Sequence, residues 1–183
     1  MKILKNLLCF FIGFFVLSSS FSVNAMEFSS TEEKYGLISI NNLNEERYEE
    51  IPTPRYGEVW KRTVLDTKYA VATVTPSGQN VGGTRFPNGG GFYVDPGSGS
   101  KASFSVDFGW GPVKFSVNEG KVSNVSGYYV QVPDKNNYYK VKIDKKVKID
   151  RIKLDCYKAG QYSYSTYLTS VVVISEDIYC VKA

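Results

Sequence analysis

The chain has 183 residues, a formal net charge of +4, 15% aromatic residues and no histidine. Without imidazole, Ser-His-Asp and Cys-His catalysis, His-liganded zinc and a histidine proton switch are all excluded. A near-neutral total gives no electrostatic reason to expect nucleic acid as a partner.

Residues 1–25 have the three-part layout of a secretory signal peptide. Lys2 and Lys5 precede an apolar run from Leu7 to Leu17, and Ser18-Ser19-Ser20 follows. Val23 and Ala25 supply small side chains for cleavage after Ala25. A run of 11 residues is short of the roughly 20 that span a bilayer. The expected mature chain is Met26 to Ala183, with a charge of +2 once the two signal lysines leave. That places the protein outside the cell or at its surface, as a single domain large enough to bury a core. Cys9 leaves with the signal, so Cys156 and Cys180 remain as one expected disulfide, closing a loop of about 25 residues.

Residues 26–56 read as an arm and linker. They hold one strand candidate, Leu37–Ile40, and an acidic run, Asn44–Glu50, before Pro52 and Pro54. Residues 57–183 read as one β-rich domain. Glu58–Leu65 and Lys68–Thr75 are rich in Val, Thr, Tyr and Trp and suggest a hairpin turning at Asp66-Thr67. Thr75–Ser100 is glycine-rich and reads as turns around a short strand, Gly91–Asp95. Its Gly97-Ser98-Gly99-Ser100-Lys101 segment fails as a phosphate loop, because a strand pattern follows it rather than a helix.

Lys101 to Asn118 carries the clearest alternation. Phe104, Val106, Phe108 and Trp110, then Val113, Phe115 and Val117, are apolar around a Gly-Trp-Gly-Pro turn. Strand patterns continue at Lys121–Val125, Gly127–Val132 and Tyr138–Ile143. Asp144-Lys145-Lys146 suggests a turn or a bulge. The apolar parity then changes near Asp150-Arg151, which implies a bulge or bend. The tail alternates from Gln161 to Ile174, turns at Ser175-Glu176-Asp177 and closes with Ile178–Val181. About ten short strands and no helix after the signal predict an all-β, antiparallel β-sandwich, with a β-barrel as the alternative.

Two clusters are candidate binding groups. Lys140, Lys142, Lys146 and Lys148 share one face at strand period two and would form a basic stripe for an anionic cell-wall polymer or glycan. The same stripe also suits a solvated face or a guarded edge strand. Tyr162, Tyr164 and Tyr167 combine apolar rings with polar tips, which suits carbohydrate stacking or a surface-protein interface. Strand parity puts Tyr162 and Tyr164 on one face and Tyr167 on the other. The carboxylates Asp95, Asp107 and Glu119 are the candidates for acid catalysis, although turn roles are the ordinary use of such residues. No cofactor and no metal site is expected. The general look resembles that of small secreted bacterial β-proteins. The reading is a secreted, non-enzymatic module that binds an envelope or extracellular partner, with a hairpin-inserting toxin as the alternative. Each arm of the Phe104–Val117 hairpin is short of the 9–11 residues typical of a membrane strand.

Overall fold

The computed structural model describes residues 32–41, 52 and 54–183. The expected signal segment, Cys9, the expected cleavage site and the acidic run Asn44–Glu50 lie outside the described residues. No helix occurs among the described residues, so none there is long and apolar enough to cross a membrane.

The chain forms an antiparallel β-sandwich. One layer is a four-stranded sheet of β1 (Tyr35–Asn41), β9 (Gln161–Lys182), β8 (Tyr139–Lys158) and β2 (Glu58–Val74), in that order. Against it lie a three-stranded sheet, with β6 (Lys121–Ser123) and β7 (Tyr128–Gln131) flanking β3 (Gly91–Asp95), and a two-stranded hairpin of β4 (Lys101–Asp107) and β5 (Pro112–Asn118). The core between the layers takes Tyr139, Val141, Ile143, Val147 and Ile149 from β8, Val94 from β3, Val130 from β7, and Val113, Phe115 and Val117 from β5. Gly91 is required where β3 meets β7. A Cβ there would sit 2.1 Å from the Val130 carbonyl oxygen.

Two expected turns are instead strand, and Asp144-Lys145-Lys146, expected as a turn or a bulge, is strand with a register shift between Lys146 and Val147. Asp66-Thr67 does not reverse the chain, and β2 runs unbroken for 17 residues beside β8. Without glycine, that pair offers no tight hairpin turn. Leu65 is instead the extra residue of a bulge, because Val64 pairs with Ile152 and Asp66 with Arg151. Asp144-Lys145-Lys146 continues β8, and Ser175-Glu176-Asp177 continues β9. Lys145 and Glu176 turn inward there and satisfy each other. Lys145 Nζ donates to Glu176 Oε1 at 2.5 Å and to the Pro96 carbonyl at 2.9 Å.

β8 and β9 are therefore much longer than the sandwich they serve. Their outer halves, with the first half of β2, continue as a three-stranded ribbon ending at the two-residue turn Ala159-Gly160. Both turn residues have positive φ, 48° and 79°, the requirement of a type I′ hairpin turn. The apolar side of β8 changes along this length. Odd residues are buried from Tyr139 to Ile149, and even residues from Asp150 to Cys156. β8 itself has no extra residue at the change-over. The bulge that accompanies it lies in the partner strand, at Leu65. Ile152, Leu154 and Cys156 are buried on the ribbon's outer face, with Val64 and Leu168 level with Ile152, and Trp60 and Tyr164 level with Cys156.

The expected disulfide is absent. Cys156 and Cys180 are both free thiols and both buried. Cys180 lies opposite Val141, fifteen residues along β8 from Cys156. At about 3.3 Å per residue that separation is roughly 50 Å of strand. A disulfide requires Cα atoms within about 7 Å. The hairpin expected to bring the two together is one continuous strand, and that strand holds them apart.

Candidate functional site

The four lysines do share a face. Lys140, Lys142, Lys146 and Lys148 all lie on the outer side of β8, alternating with buried Val141, Ile143 and Val147. The same face also carries their counter-charges. Lys142 Nζ pairs with Glu32 at 2.5 Å, and Lys148 Nζ with Asp150 at 3.1 Å. Lys146 Nζ stands 5.9 Å from the ring centroid of Tyr69. Asp144 sits among the lysines and accepts hydrogen bonds from Lys34 at 2.6 Å, Thr73 at 2.7 Å and Tyr179 at 2.9 Å. Burial pushes the Asp144 carboxyl up, but those three donors more than offset it and leave the group below its ordinary range. Burial, and then the Asp144 charge, push the Tyr179 phenol up. Two of the four stripe lysines, Lys142 and Lys148, are thus answered by carboxylates on their own face.

The tyrosines divide differently from strand parity. β9 gains an extra residue at Ser163, because Tyr164 pairs with Cys156 and Tyr162 with Tyr157. A one-residue shift moves a side chain to the opposite face. Tyr162 and Tyr167 therefore share the inner face of the ribbon, and Tyr164 lies on the outer face, edge-on to Trp60 at 5.6 Å. The sequence carried no glycine or proline to announce that bulge.

The inner face of the ribbon is the better-formed surface. Tyr162 and Tyr167 are 59% and 58% exposed. Tyr157 meets Tyr162 edge-on, with centroids 6.0 Å apart. Tyr162 is also tied down at its polar end. Its hydroxyl shares a 2.9 Å hydrogen bond with Ser165, Ser165 donates to Asp155, and Lys153 pairs with Asp155 at 2.9 Å. The Ser165 hydroxyl, then Lys153, hold the Asp155 carboxyl below its usual range, and Asp155 in turn raises Lys153. The Arg151 guanidinium lies 5.7 Å from the Tyr167 ring and 5.6 Å from the Trp110 ring at the hairpin tip. Each contact is within cation–π range, so Arg151 joins hairpin to ribbon. The sequence marks Trp110 as an apolar hairpin position and Arg151 as the point where parity changes, but neither as a binding group. Their partnership spans 41 residues and no local pattern encodes it.

The three candidate catalytic carboxylates serve turns. Asp95 Oδ1 accepts from the Gly97 amide at 3.0 Å, and Asp107 Oδ1 from the Gly109 amide at 2.8 Å. Glu119 accepts from the Ser100 hydroxyl at 2.8 Å. Among the described residues no group of three or more His, Cys, Asp or Glu is placed to hold a metal ion. No protein-family model matches the chain, and no curated protein or solved structure matches it.

Proposed function

We propose that this is a secreted, non-enzymatic binding module for a cell-envelope or extracellular partner, and that it makes contact through the inner face of the ribbon. One observation carries the reading. Two tyrosines more than half exposed lie on one face of a three-stranded ribbon, one with its hydroxyl tethered and the other stacked against a guanidinium. Exposed aromatic surface is unfavourable in water, and rings held in place lose little entropy on binding. The lysine stripe becomes a secondary contributor, because Lys142 and Lys148 are answered by carboxylates on the same face. The experiment is retention of the mature protein on envelope preparations and on extracellular polysaccharide, compared with the Tyr162→Ala/Tyr167→Ala variant. Loss of retention in that variant, with an unchanged melting temperature, supports the reading; equal retention contradicts it.

One observation favours the toxin alternative. Among the described elements, β4 and β5 hydrogen-bond only with each other, so the hairpin could leave the body without breaking a ladder to another sheet. Against it, Val113, Phe115 and Val117 are buried in the core, and each strand has seven residues. Dye release from anionic liposomes separates the two readings, and no leakage at micromolar protein removes this one.

A further inference from the structure

The two long edges of the four-stranded sheet are built differently. β2 forms one, and β9, beyond the reach of β1, forms the other. β1 ends at Asn41 opposite Ser175, and among the described residues no strand pairs with that side of β9 from Gln161 to Ile174. An open strand edge is a template for another chain, and proteins guard such edges with charge, proline or a bulge. The edge of β2 is guarded in this way. It carries Glu58, Lys61, Arg62, Asp66 and Lys68, and the Leu65 bulge interrupts it. The β9 edge has no charge or proline to guard it. Gln161 to Ile174 holds no Asp, Glu, Lys, Arg, Pro or Gly, and Tyr164 and Tyr167 are 45% and 58% exposed. Between its two bulges, Tyr164 to Val173 runs in regular register with β8.

The same stretch suits pairing with itself. Two antiparallel strands in one sheet are related by a two-fold axis normal to the sheet, which sets each residue opposite one on the same face. With the axis at Leu168, Tyr164 meets Val172, Thr166 meets Ser170 and Tyr167 meets Thr169. Rings then face β-branched residues and hydroxyl faces hydroxyl, which are favourable cross-strand pairs, and no like charges meet.

We propose that the Gln161–Ile174 edge pairs with the same edge of a second copy, giving a two-fold dimer with one continuous sheet across both ribbons. Because the axis is normal to the sheet, both inner faces look the same way. Tyr162 and Tyr167 of one copy then continue into those of the other, and a polymeric partner would meet two contact faces at once. The pairing stands on the edge itself and does not depend on what the tyrosines bind. Pairing along this edge spans about 45 Å, and a sheet about 10 Å thick makes that roughly 900 Å² buried between the copies. That is below the standard interface size, so the dimer is weak and reversible, with a dissociation constant of about 1–100 µM.

Sedimentation equilibrium of residues 26–183 tests this, and wild type should pass from monomer to dimer between about 1 and 200 µM. Thr166→Lys puts a charge in the middle of the edge while keeping every tyrosine, and should weaken the dimer at least about ten-fold. Thr63→Lys makes the same change on β2 and should leave the dimer as it was. Melting temperatures establish that each variant is folded, and Tyr167→Lys takes the place of Thr166→Lys if that variant is not. A wild type that is still monomeric at about 200 µM overturns the proposal, whether the edge is met by this chain's own residues or by water. A dimer that Thr166→Lys leaves intact, or that Thr63→Lys abolishes, overturns it as well.

Discussion

Replacing Lys145 alone should be among the most damaging single changes in this protein. Lys145 is 2% exposed and Glu176 7% exposed, and the two face each other across β8 and β9 on the core side. Lys145→Met removes the cation and leaves Glu176 as an unanswered buried carboxylate. Breaking a buried ion pair from one side costs about 3–5 kcal/mol. Glu176→Gln should fall at the lower end of that range, since the amide oxygen can still accept from Lys145. Lys145→Met/Glu176→Leu removes both charges. Its remaining penalty is the orphaned Pro96 carbonyl, which now accepts from Lys145 at 2.9 Å, and an unsatisfied buried group costs about 1–3 kcal/mol. The double variant should therefore be more stable than Lys145→Met. Urea unfolding at pH 7 of wild type, Lys145→Met, Glu176→Leu and the double variant supplies the four free energies of a double-mutant cycle. Additive losses, or a Lys145→Met penalty under about 1 kcal/mol, would refute the reasoning, because either result means that the charges are not paired in a dry site.

Four further outcomes follow from particular contacts. Ala159→Gly should stabilise the protein by about 1 kcal/mol, because Ala159 sits at φ 48° in the β8–β9 turn and glycine removes the Cβ penalty there; a lower melting temperature would contradict the turn assignment. Gly91→Ala should destabilise by at least about 2 kcal/mol, since its Cβ meets the Val130 carbonyl oxygen at 2.1 Å and backbone must move; an unchanged melting temperature would contradict the β3–β7 register. Cys156 and Cys180 should be silent to a thiol reagent in the native protein and should both react after unfolding without reductant, since both are free and buried, and burial pushes the Cys180 thiol up to about 11; a crosslinked chain on a non-reducing gel would contradict the register of β9. Asp134 should contribute to acid sensitivity. The Tyr139 hydroxyl, the Asn137 side chain and two backbone amides hold its carboxyl below the ordinary range, so its contribution is present above about pH 4 and is lost as pH falls. The melting-temperature gap between wild type and Asp134→Asn should hold from pH 7 to about 4 and narrow progressively as pH falls below that, and a constant gap would contradict that hydrogen-bond set.

Local alternation was enough to read the class of fold and several elements. The β4–β5 hairpin is legible because Phe104 to Val117 alternates strictly around Gly109 and Gly111, and β3, β6 and β7 are set apart by glycine and proline. What failed was strand length. Asp144-Lys145-Lys146 and Ser175-Glu176-Asp177 look like turns because three consecutive polar residues lie in each. In the fold one member of each triplet points inward, and the two find each other. That is a tertiary rescue with no local signature. The disulfide expectation failed for the same reason, because breaking β9 into a hairpin was the step that brought Cys180 toward Cys156. The tyrosine faces were misassigned through one bulge at Ser163, where an extra residue reverses everything beyond it. The lysine face was legible from spacing alone, whereas the pairing of Lys142 with Glu32 and of Lys148 with Asp150 was not.

The most direct measurement is retention of residues 26–183 and their Tyr162→Ala/Tyr167→Ala variant on envelope preparations and on extracellular polysaccharide, read as a dissociation constant at low salt. Losing both exposed rings should weaken binding at least ten-fold while the melting temperature stays within about 2 °C of wild type, because surface substitutions change stability by only about 0.5 kcal/mol. Equal binding by the two proteins would contradict the claim that the ribbon's inner face is where this protein meets its partner.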